Sequence, residues 1–113
     1  MDSFTKLDID KHFGKIFRDY RKKAKITQED LAEELGISLK YISRVENGNN
    51  GVKTQNLIQY MNILGVSPNL LFGKFMTHPN IRKDMDLYEK IAELSEEQKE
   101  FISSIIDLVQ NLK

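Results

Sequence analysis

The sequence predicts an all-α fold of five short helices followed by a two-helix C-terminal segment. Apolar residues recur at helical spacing along most of the chain. Glycine, serine and threonine stand at the ends of these periodic runs, where helices stop and start. The chain has 113 residues, 40% of them hydrophobic, which suffices for one domain with a modest core and a small appendage.

The most informative stretch is residues 28–47, QEDLAEELGISLKYISRVEN. Its inner positions carry small or apolar residues: Leu31, Ala32, Leu35, Ile37, Ile42 and Val45. Gly36 ends a first helix, and Ser38 is placed to cap a second one after a very short turn. Two helices joined this tightly must cross steeply, with Ala32 at their contact. This is the pattern of a helix-turn-helix, whose second helix lies in the DNA major groove while the first crosses the backbone. The alternative is an ordinary helical hairpin in an unrelated bundle, which does not need all these residue types at once.

The domain organisation follows from periodicity. Residues 1–8 have none and are expected to form an N-terminal tail, and residues 9–73 are expected to form the helix-turn-helix domain. Residues 74–83 contain Pro79 and are expected to be a linker, leaving residues 84–113 as a C-terminal helical segment. A basic stripe follows the outer face of the first predicted helix: Lys11, Lys15, Arg18, Lys22 and Lys25. This stripe either follows phosphates or is simply solvated.

Composition excludes several function classes. The formal net charge is zero, but the charge is uneven along the chain. Residues 1–73 hold 11 basic and 9 acidic residues, whereas residues 74–113 hold 6 basic and 8 acidic residues. Only the first part is therefore expected to contact DNA phosphates. The absence of cysteine excludes a disulfide framework or a Cys-ligated zinc, and it fits a reducing cytoplasm. No signal-like or membrane-length apolar run occurs. His12 and His78 stand far apart, and no catalytic set stands out, so neither a metal, a cofactor nor an enzyme activity is expected.

The second helix of the pair carries the residues that can read a base. Arg44 can donate two hydrogen bonds to a guanine edge, Lys40 can reach guanine or phosphate, and Leu39 offers only an apolar contact such as one to a thymine methyl. Gln28, at the start of the first helix, is suited to holding a phosphate oxygen, and Lys53 follows a turn-rich loop with free backbone N–H groups. The alternative for Arg44 and Lys40 is that both are plain solvated residues.

The end of the chain carries a broad apolar stripe. Ser95 and Gln98 form a capping box that opens the last predicted helix. One seam consists of Phe101, Ile105, Leu108 and Leu112, and it is widened by Ile102, Ile106 and Val109. Two short helices have too little interior to bury it, so we expect it to form a homodimer. Docking on residues 9–73 of the same chain is the alternative.

Residues 12–73 resemble the helix-turn-helix domain of the XRE family, which includes phage repressors and Cro proteins. The resemblance rests on GKIFRDYRKKAKITQEDLAEELGISLKYISRVENG and LIQYMNILGVSPNLLFG. It implies a repressor-like DNA-binding domain in which Gln28 contacts DNA and Arg21 pairs with Glu46. The implied reading surface is Ser38, Leu39, Lys40, Tyr41 and Arg44. Leu39 departs from the family, which often has a polar residue there, and the Asn-Asn-Gly loop is longer than in some members.

The function these expectations favour is a sequence-specific, double-stranded DNA-binding transcriptional regulator. It is expected to be a cytoplasmic, dimeric repressor that reads an inverted-repeat operator through residues 38–46. The alternative is an antitoxin-like or antagonist protein-interaction module whose C-terminal helices bind a different protein.

Overall fold

The computed structural model describes residues 3–112, which form seven α-helices and one 3-10 turn and no strand. The helices are α1 (Lys6–Lys23), α2 (Gln28–Leu35), α3 (Leu39–Glu46), α4 (Thr54–Leu64), α5 (Pro68–Phe72), α6 (Pro79–Ala92) and α7 (Glu96–Gln110), and the 3-10 turn is Gly73–Phe75. The predicted all-α class, with five helices followed by two, is therefore confirmed. The chain divides into two compact units, residues 1–75 and 76–113. Residues 1, 2 and 113, which the predicted tail and C-terminal segment include, lie outside the described residues.

Local capping explains the turn between α2 and α3. Gly36 adopts a left-handed conformation with φ of 68°, which lets α2 end and the chain reverse. Two residues later the Ser38 hydroxyl accepts the backbone N–H of Tyr41 at 3.0 Å and starts α3. At the start of α2, the Thr27 hydroxyl accepts the N–H of Asp30 at 3.0 Å in the same way.

The core of the first unit lies between α1 and the next four helices. Its buried apolar residues are Phe13, Ile16, Phe17, Leu31, Ala32, Leu35, Ile42, Val45, Tyr60, Leu64, Val66, Leu71 and Phe75. The Phe17 and Tyr60 rings stack with centroids 4.4 Å apart. The Tyr60 hydroxyl is buried without a hydrogen-bond partner among the described residues, and this burial raises the pKa of the phenol.

Helix α1 touches the C-terminal end of α3 at Gly14. A methyl group at residue 14 would overlap the backbone carbonyl oxygen of Val45 and press on the carbonyl group of Glu46. Gly14 is buried in the middle of α1, so the two helix backbones approach closely there. Glycine is therefore required by the distance between the helices and not by a turn.

Three element boundaries differ from the prediction. Helix α1 begins at Lys6 because Thr5 and Asp8 form a capping box. The Asp8 N–H donates to the Thr5 hydroxyl, and the Thr5 N–H donates to the Asp8 carboxylate. The predicted tail of residues 1–8 is therefore too long. A threonine ahead of the next periodic apolar run predicts Thr54 as the N-cap of α4, but in the structure the N-cap is Lys53, which makes no side-chain capping bond. Helix α6 begins at Pro79, so residues 79–83 are not a linker. Proline is compatible with the first turn of a helix because its missing N–H has no intrahelical partner there.

The second unit consists of α6 and α7. The predicted capping box of α7 is confirmed: the Gln98 N–H donates to the Ser95 hydroxyl at 3.2 Å, and the Ser95 N–H donates to the Gln98 amide oxygen at 2.9 Å. Neither helix contains a buried residue. No helix in the described part of the chain is long and apolar enough to cross a membrane.

Candidate nucleic-acid interface

Helix α3 has one buried face and one exposed face. Ile42 and Val45 are 0% and 1% exposed and anchor the helix in the core. Lys40 and Arg44 lie one turn apart on the opposite face, where both are exposed. The helix therefore offers two cations to a partner while its orientation is fixed from behind.

The anchored end of α3 carries a buried ion pair. The Arg21 Nε donates to Glu46 Oε2 at 2.6 Å and its Nη2 donates to Oε1 at 2.9 Å, while Nη1 donates to the carbonyl of Ile26 at 2.9 Å. The Glu46 side chain is only 2% exposed and that of Arg21 only 10%. The hydrogen bond and the charge of Glu46 raise the pKa of Arg21 further. This pair joins α1 to α3 and is the geometry that the resemblance implies for these two residues.

Gln28 joins the same cluster from the first residue of α2. Its side-chain Nε2 donates to Glu46 Oε1 at 3.0 Å, so that oxygen accepts from both Arg21 and Gln28. The sequence predicts a phosphate contact for this amide and does not indicate the bond to Glu46. A primary amide has two N–H donors, so the bond to Glu46 orients Gln28 and still leaves its second N–H.

Tyr41 connects α3 to the loop that follows it. Its hydroxyl accepts the backbone N–H of Lys53 at 3.3 Å and donates to the carbonyl of Gly51 at 3.4 Å. The loop also passes close to α1, because a Cβ at Gly48 would lie 2.8 Å from Lys11 Cγ. Tyr41 therefore holds Lys53 beside α3, a link that spacing in the sequence does not reveal.

The structure brings the predicted reading residues together on one element. Leu39, Lys40, Tyr41 and Arg44 belong to α3 and Ser38 caps it, while Lys53 is linked to it through Tyr41. The residues of the predicted dimer seam lie on α7 or directly after it, in the second unit.

The basic stripe lies along α1 and just beyond it. Lys11, Lys15, Lys22 and Lys25 are exposed and Arg18 is half-buried. Lys15 already faces Asp19, with Nζ 3.4 Å from the carboxylate. Exposure alone does not separate a phosphate-binding face from a solvated one. Among residues 3–112, no three potential ligand side chains cluster in a way that could hold a metal ion.

Comparison with known proteins supports the same reading of these helices. A helix-turn-helix family matches residues 17–71, from the middle of α1 to α5. The cryptic phage CTXphi transcriptional repressor RstR of Vibrio cholerae serotype O1 (strain ATCC 39315 / El Tor Inaba N16961) is 32% identical over 87 residues, which cover 77% of each chain. The chain belongs to the XRE-type helix-turn-helix family. It is a DNA-binding transcriptional regulator.

Membership of the XRE family relates the buried and exposed faces of α3 to DNA binding. In a helix-turn-helix regulator, the second helix of the motif lies in the major groove. In this regulator the second helix is α3, which is held from behind by Ile42, Val45 and the Arg21–Glu46 pair. The face of α3 that carries Lys40 and Arg44 is the one that the core leaves exposed.

Proposed function

We propose that this XRE-family regulator is a repressor that binds an inverted-repeat operator as a homodimer, reading each half-site with α3. The observation that carries the proposal is the division of α3 into a face fixed by Ile42, Val45 and Glu46 and a face that presents Lys40 and Arg44. The name of RstR, a phage transcriptional repressor, supports the repressor role.

Arg44 is assigned to a guanine in the major groove, and Lys40 to guanine or phosphate. A guanidinium group matches the O6 and N7 acceptors of guanine, whereas an ammonium group makes a less directional contact. Around them, Gln28 and Lys53 are assigned to the DNA backbone. Gln28 is held at the N-terminus of α2 by Glu46, and the Lys53 backbone is held by Tyr41. Contacts to the DNA backbone set the position of the protein along the duplex but do not distinguish base sequences.

Arg44→Ala should weaken operator binding by about 1–3 kcal/mol, because it removes a bidentate base contact. The fold should be unchanged, since Arg44 is exposed. Fluorescence anisotropy with a labelled operator duplex measures the loss. Lys90→Ala removes one positive charge from an exposed position in α6 and should bind like the wild type. Equal affinity of the Arg44→Ala and wild-type proteins would withdraw the role assigned to Arg44.

The homodimer is assigned to α7. Its seam residues are exposed in the single chain: Phe101 by 65%, Ile105 by 39%, Leu108 by 64%, Val109 by 58% and Leu112 by 75%, with Ile102 half-buried. Phe101, Ile105, Leu108 and Leu112 follow the alternating four-and-three spacing of a coiled-coil seam. A two-fold dimer presents two copies of α3 to half-sites about 34 Å apart or a multiple of that distance, which raises affinity without new base contacts.

Ile105→Glu should convert the dimer to monomers and weaken operator binding by at least about ten-fold, because two half-sites are then bound independently. Light scattering after gel filtration gives the mass, and anisotropy gives the affinity. Ser103→Glu adds the same charge to the opposite face of α7 and should remain dimeric. If the Ile105→Glu variant dimerised as strongly as the wild type, the assignment of the dimer interface to this face of α7 would be contradicted. A wild-type monomer that assembles only with a different protein would favour the antitoxin-like or antagonist function instead.

Selection of bound duplexes from a random pool tests the proposed function as a whole. We expect an inverted repeat, since a two-fold dimer places identical helices on the two half-sites. A single unrepeated site would contradict the dimer, and the absence of any enriched sequence would contradict sequence-specific binding.

A further inference from the structure

Leu39 is an exposed leucine at the N-terminal end of α3, the helix that the proposed function assigns to the major groove. It is the first residue of the helix, next to the Ser38 cap, and it is 44% exposed. The core contacts of α3 are made by Ile42 and Val45, which are 0% and 1% exposed. Leu39 belongs neither to the core cluster nor to the partly buried apolar residues packed against it, and the neighbouring Lys40 and Arg44 are charged.

The chemistry of the major groove restricts what Leu39 can meet there. Each base pair presents hydrogen-bond donors and acceptors, and the 5-methyl group of thymine is its apolar feature. A leucine side chain has no donor or acceptor, so against the N4 amino group of cytosine it would exclude water and return no hydrogen bond. Against a thymine methyl, the same side chain buries apolar surface on both partners.

We propose that Leu39 selects thymine at one position of each half-site by packing against its 5-methyl group. The inference rests on the proposed function, because it requires α3 to lie in the major groove. It adds a specificity determinant of a different kind from Arg44: Leu39 reads a methyl group, whereas Arg44 reads acceptors.

The test removes the methyl group and leaves the base pair intact. The probe is the duplex that the wild-type protein enriches from a random pool, synthesised with uracil in place of thymine at one half-site position and its symmetry mate at a time. Burial of one methyl group corresponds to about four-fold in affinity, or about fifteen-fold for both half-sites together. We expect one such position at which uracil weakens wild-type binding by about that factor.

The variant Leu39→Ala decides whether residue 39 is responsible. At the position identified with the wild type, uracil should change binding by this variant less than two-fold, because the side chain no longer reaches the methyl group. Leu39→Met keeps a long apolar side chain and should retain the preference for thymine. Unchanged thermal unfolding of Leu39→Ala, followed by circular dichroism, shows that the loss does not come from the fold.

Each outcome bears on the inference. An operator bound equally well with thymine and uracil at every position, or a uracil effect of equal size in the wild type and Leu39→Ala, overturns the role of Leu39 while the proposed function stands. Failure to enrich any duplex overturns both. A uracil effect that Leu39→Ala abolishes and Leu39→Met retains supports the inference.

Discussion

Glu46→Ala should lower the free energy of unfolding by about 3–5 kcal/mol, the range for removing one partner of a buried ion pair. The Glu46 carboxylate accepts two hydrogen bonds from Arg21 and one from Gln28, and the Glu46 side chain is 2% exposed. Without this carboxylate, the Arg21 side chain, which is 10% exposed, keeps a buried positive charge with no negative charge opposite it. Most of the cost is therefore the desolvated charge left behind and not the loss of a favourable contact. Urea denaturation followed by circular dichroism measures the change.

Two further variants test whether the effect of Glu46→Ala comes from the buried ion pair. Glu33→Ala removes an exposed carboxylate from α2 and should stay within about 0.5 kcal/mol of the wild type. Replacing Arg21 and Glu46 together with methionine should recover much of the stability lost in Glu46→Ala, since no charge is then left buried. If Glu46→Ala unfolded at the wild-type urea concentration, the pair would not be what fastens α3 to α1.

Gly14→Ala should destabilise the protein by about 3 kcal/mol, near the upper end of the usual cost of overpacking. The added methyl group overlaps the carbonyl oxygen of Val45, a backbone atom that cannot rotate away. Helix propensity predicts the opposite sign, because alanine is favoured over glycine by about 1 kcal/mol inside a helix. The sign of the measured change therefore decides between the close approach of α1 to α3 and a loosely packed α1.

Urea denaturation again gives the stability of Gly14→Ala. Asp19→Ala lies on the exposed side of the same helix, where it breaks only a surface ion pair with Lys15, and should change stability by no more than about 0.5 kcal/mol. A Gly14→Ala protein more stable than the wild type would show that the helices have room at this position.

The features that residue patterns alone predict correctly are those determined by neighbouring residues. The Arg21–Glu46 pair joins residues far apart in sequence, and only the family resemblance implies it. Gly36 in its left-handed conformation and the Ser38 cap need only a few consecutive residues, as does the Ser95–Gln98 capping box. The Thr5–Asp8 capping box is equally local, but it precedes the first periodic apolar residue, so periodicity places the start of α1 too late. Pro79 is typical of a break between helices, yet here it begins α6. The same residue type serves both roles, and only the chain that follows distinguishes them.

The features that were not predicted join parts of the chain far apart in sequence. Gly14 meets the carbonyl of Val45, and Gln28 turns inward to Glu46. Tyr41 bonds to the loop at Gly51, and Tyr60 fills the core against Phe17. Periodicity shows which face of a helix is apolar, but it does not show which backbone atom of another helix lies opposite a given residue. The DNA contacts assigned to Gln28, to Lys53 and to the exposed residues of α3 stay predictions.

The ratio of operator affinity to random-duplex affinity, measured at one salt concentration, tests most directly that α3 reads DNA sequence. For the wild-type protein we predict that the enriched duplex binds at least about 1,000-fold more tightly than a random duplex of equal length. Arg44→Ala should reduce this ratio by lowering operator affinity more than random-duplex affinity. A wild-type ratio near one, or a ratio that Arg44→Ala and Lys40→Ala leave unchanged, would contradict the account.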